Sequence, residues 1–148
     1  MSHALKVPSM KRFTFVLLLL LCTNAWADWT AVGVGDQFNT YADLATIRKQ
    51  GNTVTMWSLF DFRTSQAGVG YEFLSQKAQD EYDCDGQRSR TLSFSSHSGN
   101  MGGGKVVYSN TDPQRWVPAP PRSANGLLLK VACKGQNSGE GKGFNRLE

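Results

Sequence analysis

Several short stretches of this chain bring together residue types that do chemistry in other proteins. Gly99 to Lys105 spells G-x-x-x-x-G-K, the spacing with which a glycine-rich loop cradles phosphates and a lysine reaches them. The next residue, however, is Val106, where magnesium needs a Ser or Thr hydroxyl. Val106-Val107-Tyr108 also reads as a strand, whereas a phosphate site wants the amino end of a helix, so the stretch is taken as a flexible loop. Glu81, Asp83, Asp85 and Gly86 imitate the opening of a calcium loop, but Leu92 stands where a bidentate carboxylate is required. Those acids are expected to solvate a hairpin end. His97 lies among Ser95, Ser96 and Ser98, and a histidine activates a serine when an acid orients it. Neighbouring strand residues point to opposite faces, which makes pairing with Ser96 or Ser98 geometrically poor, and no G-x-S-x-G elbow is present. His97 is therefore read as a surface residue at a loop edge. Asp61, Glu72 and Asp80 would form a glycosidase-like pair only if folding set two of them at a suitable separation. No catalytic residue, no metal site and no cofactor is assigned, and the chain is not read as an enzyme.

Two other features carry more weight. Arg115 and Trp116 sit together among prolines, and both residue types are enriched where proteins bind one another, so they mark a possible binding surface. Core packing is the competing role for Trp116 and the expected one; Trp29 and Trp57, inside apolar stretches, are expected in the core as well. Cys84 and Cys133 form an even pair in a short chain that reads as exported, which points to one disulfide. Its loop of roughly fifty residues would contribute about 2 to 4 kcal/mol in the chain-entropy picture. A two-cysteine metal site would need further His or Cys ligands, which the chain does not offer.

The elements that must position these residues are mostly strands. Trp29 to Val34 and Phe38 to Tyr41 read as the first two, after which Asp43 caps a brief helical turn, Leu44 to Lys49, ended by Gly51. Thr53 to Phe62 is the strongest strand, with apolar residues on both faces. Tyr71 to Cys84 carries Leu74, Ala78, Tyr82 and Cys84 on one face and Lys77, Gln79 and Glu81 on the other. Asp85-Gly86 suits a tight hairpin turn, and Arg88 to Ser96 should pair back. A further strand spans Lys105 to Ser109, followed by an extended proline-rich segment from Pro113 to Pro121. The period then changes: Ala124, Leu127, Leu128, Val131 and Ala132 make one helical stripe, with Ser123 as cap. That helix delivers Cys133 to Cys84. The expected class is α+β: an antiparallel sheet of about six strands with a C-terminal helix packed on one face and tied by a disulfide.

The chain opens with an export signal: Lys6, Lys11 and Arg12, an apolar run from Phe13 to Leu21, then Ala25-Trp26-Ala27 as a cleavage site. The run is too short to span a bilayer, which takes about 20 apolar residues. Cys22 offers a rival, lipidated end, although Leu21 stands where a small residue is expected. The chain thus divides into a signal peptide (1–27), one domain (28–133) and a flexible tail (134–148). The protein is expected in the periplasm or secreted, with an outer-membrane lipoprotein as the alternative. Three of the 16 basic residues and none of the 12 acidic ones fall in 1–27, so the remainder carries 13 against 12, a net charge of about +1. No basic footprint for nucleic acid is left.

The sequence resembles the surface-adhesin protein E family of bacterial envelope proteins from Trp29 to Cys133. The matching stretches include Tyr41-Ala42-Asp43, Val54 to Asp61, Ser75-Gln76-Lys77, Glu81-Tyr82-Asp83-Cys84 and Arg88-Ser89-Arg90. Gly104 to Val107, Trp116-Val117-Pro118 and Val131-Ala132-Cys133 follow near the end. The resemblance implies export, the same disulfide-tied fold, and a noncatalytic protein that binds extracellular-matrix or other macromolecules. A soluble periplasmic binding or inhibitory module is the alternative, and a hydrolase dependent on His97 a third reading. The protein partner is a host matrix or envelope protein, and the open sheet edge would also permit a homodimer.

Overall fold

The structure, a computed structural model, describes residues 28–134. The proposed signal, Cys22 and the tail beyond Lys134 lie outside the described residues. Six strands run as an antiparallel meander: β1 (Trp29–Val34), β2 (Phe38–Gln50), β3 (Thr53–Gly68), β4 (Tyr71–Asp83), β5 (Arg88–His97) and β6 (Val106–Asn110). A two-residue strand, β7 (Val117–Pro118), shares the outer edge of β5 with β6, pairing at Arg88 and Ser89 while β6 pairs from Phe94 to His97. One helix, α1 (Ala124–Cys133), lies on one face of the sheet. The α+β architecture expected from the sequence is the one observed.

The core sits between that helix and the middle strands. Val54, Met56 and Tyr82 project from β3 and β4 against Leu128, Leu129 and Ala132 of α1, with Ala42 and Ala119 filling the sides. Full burial of such side chains supplies roughly 1.5 to 3 kcal/mol each before the entropy of ordering them is counted. Ser123 caps α1 as expected, its Oγ accepting from the Gly126 N–H at 3.1 Å. The buried stripe is rotated from the expected one, with Leu129 fully inside and Leu127 and Val131 half-exposed. Gly126 sets this orientation, because its Cα faces the Pro120 carbonyl so closely that no Cβ would fit. Cys133 at the end of α1 bonds Cys84 just past β4, with Cα atoms 5.8 Å apart.

The second strand corrects the sequence reading. Leu44 to Lys49 is not a helical turn; β2 continues through it with a large bulge, in which residues 44–47 face the single residue Met56 of β3. Asp43 does act as a local cap, its Oδ1 accepting from the Ala45 N–H at 3.1 Å, and Thr46 Oγ1 accepts from the Trp57 N–H at 2.9 Å. Side-chain oxygens thus stand in for missing ladder partners, which is why the stretch carries helix-cap residues without being a helix. The β4–β5 connection also differs, being four residues long with the left-handed position at Gln87 (φ 49°) and not at Gly86. Asp83 Oδ1 closes it by accepting from the Gly86 N–H. β3 runs past its expected end at Phe62 to Gly68 and forms with β4, which starts at Tyr71 as expected, a long hairpin arm held by contacts of Phe62 with Phe73 and of Tyr71 with Tyr108.

Candidate binding surface

Strand register assigns every relevant side chain to one of two faces. Asp80, Ala78 and Gln76 of β4 share the helix face with Ser58 and Phe60 of β3 and with Thr91 and Phe94 of β5. The opposite face carries Trp29, Asp43, Trp57, Gln79 and Ser93 as one row across five strands. Trp29 and Trp57 are therefore not core residues: both are half-buried and flank Asp43 on the side away from α1. Sequence reasoning missed this because the expected alternation was read without knowing which face the helix would cover.

Trp116 belongs to the helix-free side as well. It is half-buried, stands outside the core cluster, and carries the guanidinium of Arg88 at 5.0 Å and that of Arg90 at 4.7 Å over its ring. The core role expected for it is thereby replaced by a stack of cations on an aromatic face. Each arginine is set in place across the sheet: Arg88 Nε donates to Asp83 Oδ2 at 2.8 Å and an Arg90 guanidinium nitrogen to Glu81 Oε2 at 2.7 Å. Two of the three acids that mimicked a calcium loop, Glu81 and Asp83, thus orient arginines. Hydrogen bonds from Gly86 and Arg88 hold the Asp83 carboxyl below its usual range. Arg115 is exposed beside Trp116. Immediately after Trp116 the chain rounds the β5 edge through β7 and enters the core at Ala119, so the tryptophan is anchored from behind.

The far end of this face is covered by the glycine-rich loop, which contains one 3-10 turn (Asn100–Gly102). Asp61 Oδ1 accepts from the Met101 N–H at 2.6 Å and the Asn100 side chain at 3.1 Å, and Ser75 Oγ accepts from the Gly102 N–H at 2.8 Å. Gly102 has a φ of +69° and lies against the Lys77 side chain, which leaves no room for a Cβ. The G-x-x-x-x-G-K stretch is therefore a lid on the sheet, with the Met101 and Gly102 amides bound to Asp61 and Ser75 and those of Gly99, Gly103 and Lys105 closing the loop on itself.

Under this lid His97 is buried and not a surface residue. Its Nε2 lies 2.9 Å from Ser95 Oγ, the serine two residues away on the same face. The parity rule that excluded Ser96 and Ser98 could have selected it. Nδ1 is buried without a partner, so no acid orients the ring. Burial, then the Lys77 charge, lowers the His97 pKa and keeps the ring neutral. A serine-activating histidine is oriented by an acid on its other nitrogen, and among the described residues Nδ1 has none. Asp61 and Asp80 project from opposite faces, which rules out the two of them as a glycosidase pair.

Comparison with known proteins finds a family described as surface-adhesin protein E matching residues 29–134. Among solved structures, crystal form II of Haemophilus influenzae protein E superposes with a TM-score of 0.54 at 10% identity, covering 72% of this chain and 94% of that one. Protein E from non-typeable Haemophilus influenzae gives 0.54 at 13% identity, covering 77% and 82%. These likenesses establish the fold. No curated protein matches.

Proposed function

This chain belongs to the surface-adhesin protein E family, and we propose that it is an exported, noncatalytic protein that binds another protein through its helix-free face, with Arg115 and Trp116 at the centre of contact. The observation that carries this reading is the Trp116 stack. A half-exposed tryptophan between two ion-paired arginines is rigid before any partner arrives, so little side-chain entropy is lost on binding. Trp57 and Trp29 extend the same face. Export by residues 1–27 with processing after Ala27, or lipidation at Cys22, places the domain where the Cys84–Cys133 bond persists. Within the described residues no helix is long and apolar enough to cross a membrane. The neutral, acid-free Ser95–His97 pair supports a noncatalytic reading.

The test is solid-phase binding of the purified, oxidised protein to extracellular-matrix proteins and to envelope fractions. Saturable binding to a matrix protein that falls at least tenfold in Trp116→Ala is the expected result. Binding only to envelope proteins would replace adhesion with a periplasmic role, and binding indifferent to Trp116 would remove this face from the interaction.

A further inference from the structure

On the helix face, beyond the first turn of α1, the sheet holds a depression of about 360 Å3. Phe60 of β3 and Phe94 of β5 line it from the strands on either side of β4, and Asp80 of β4 is part of the same lining. Asp80 is only 7% exposed. Its Oδ2 accepts from Ser58 Oγ at 2.6 Å and Tyr82 Oη at 3.4 Å, and its Oδ1 from Thr91 Oγ1 at 2.7 Å. An ionised carboxylate has about four acceptor positions, so these three bonds leave one unfilled. Three hydroxyls fix the orientation of this carboxylate without neutralising it, and neither ion pair among the described residues involves it. Burial accordingly raises its pKa, the three hydrogen bonds opposing that rise only in part. Among the described residues, its lining has no basic side chain and three amides, Gln76, Gln114 and Asn125.

We propose that this depression binds a single organic cation, an ammonium or guanidinium group, with Asp80 as counter-charge and Phe60 and Phe94 as aromatic lining. A buried carboxylate lacking a cation is costly, and a positive group entering from the mouth removes that cost. Aromatic rings in the lining add attraction for a cation that they would not offer an anion, and the amide oxygens of the lining can accept its remaining N–H groups. A volume near 360 Å3 falls within the range of ligand pockets and accommodates a lysine or arginine side chain. A neutral ligand would leave the carboxylate uncompensated. This pocket faces away from the Trp116 surface, so the two readings stand or fall separately.

The test is titration of the full chain, followed by NMR at the Phe60, Phe94 and Thr91 side chains. The probes are N-acetyl-arginine methylamide, N-acetyl-lysine methylamide, 1,4-diaminobutane and, as the uncharged analogue, N-acetyl-citrulline methylamide. Saturable shifts with a cationic probe, at least tenfold weaker with citrulline, are expected. Tighter binding of the capped amino acids assigns the natural cation to a peptide side chain, and tighter binding of diaminobutane to a free amine. Asp80→Asn should weaken binding at least tenfold, and Phe94→Leu, which preserves charge and apolar packing, severalfold. Absence of saturable shifts, equal binding of citrulline, or unchanged affinity in Asp80→Asn would overturn the proposal. If Asp80→Asn does not fold, the citrulline comparison and Phe94→Leu decide.

Discussion

Trp116 and His97 show how the same sheet face gives two side chains opposite fates. Trp116 sits at the open end, stacked with Arg88 and Arg90, whose ion pairs are partly solvated. Such pairs and stacks contribute roughly 0.5 to 1 kcal/mol each at exposed sites. Trp116→Ala removes two such stacks and a half-buried ring, so it should lower stability by about 2 kcal/mol, a shift of several degrees in Tm, while removing partner binding; thermal unfolding and a binding assay on the same sample separate the two effects. His97 sits at the closed end, where burial and Lys77 depress its pKa. The unfolded chain then takes up a proton more readily than the folded one, so stability is full above about pH 6.5 and declines as pH falls through that value toward the folded pKa. Urea unfolding at pH 7.5 and 5.5 should show this loss in the natural protein and a smaller one in His97→Gln. An equal loss in both would assign the acid sensitivity to other groups. The Ser95 partner of His97 was legible in the alternation of β5, but the loop that buries both was not, since nothing local in Gly99 to Lys105 announces that two of its amides will be drawn down onto Asp61 and Ser75.

At the scale of elements, α1 is held by shape as much as by hydrophobicity. Helix propensity alone predicts that Gly126→Ala stabilises by about 0.5 to 1 kcal/mol. The structure predicts the reverse, because the new Cβ would overlap the Pro120 carbonyl and lift the helix off Met56 and Tyr82. A loss of about 1 to 3 kcal/mol, the usual range for overpacking, is expected in urea unfolding; a gain would mean that the Pro120 segment yields. Periodicity made the helix legible and Ser123 its start, yet neither could specify Gly126 as the point of closest approach. β2 failed as a sequence reading for a different reason. Asp43, Thr46 and Gly51 carry the local signals of a capped turn, and Asp43 and Thr46 do make local hydrogen bonds, but pairing with β3 before and after the stretch, at Asp43–Trp57 and Arg48–Thr55, overrides the helical alternative. The stretches that alternate cleanly, the first six residues of β3 and the C-terminal half of β4, are those whose helix face is sealed by α1.

For the whole molecule the disulfide joins the two faces. α1 has ten residues, short of the dozen or more that hold a helix in water by themselves, so it exists because it is docked and tied. The tie ends at Cys84, which adjoins Asp83; Asp83 pairs with Arg88, and Arg88 lies on Trp116. Cutting the bond frees a loop of 49 residues and should cost about 2 to 4 kcal/mol, read as a lower urea midpoint of the Cys84→Ser, Cys133→Ser double variant. The transition should stay single, with helical and tertiary signals lost together, because Val54, Met56 and Tyr82 are covered only when Leu128, Leu129 and Ala132 are in place. Early loss of the helical signal alone would show that the sheet stands without α1. The double variant should also bind partner more weakly at a temperature where it is still folded, since the hairpin that sets Arg88 under Trp116 has lost its anchor. The cysteine pair made this connection legible in outline; that it runs through Asp83 to the opposite face follows only from the register of β4 against β5, in which Asp83 meets Arg88 and Glu81 meets Arg90.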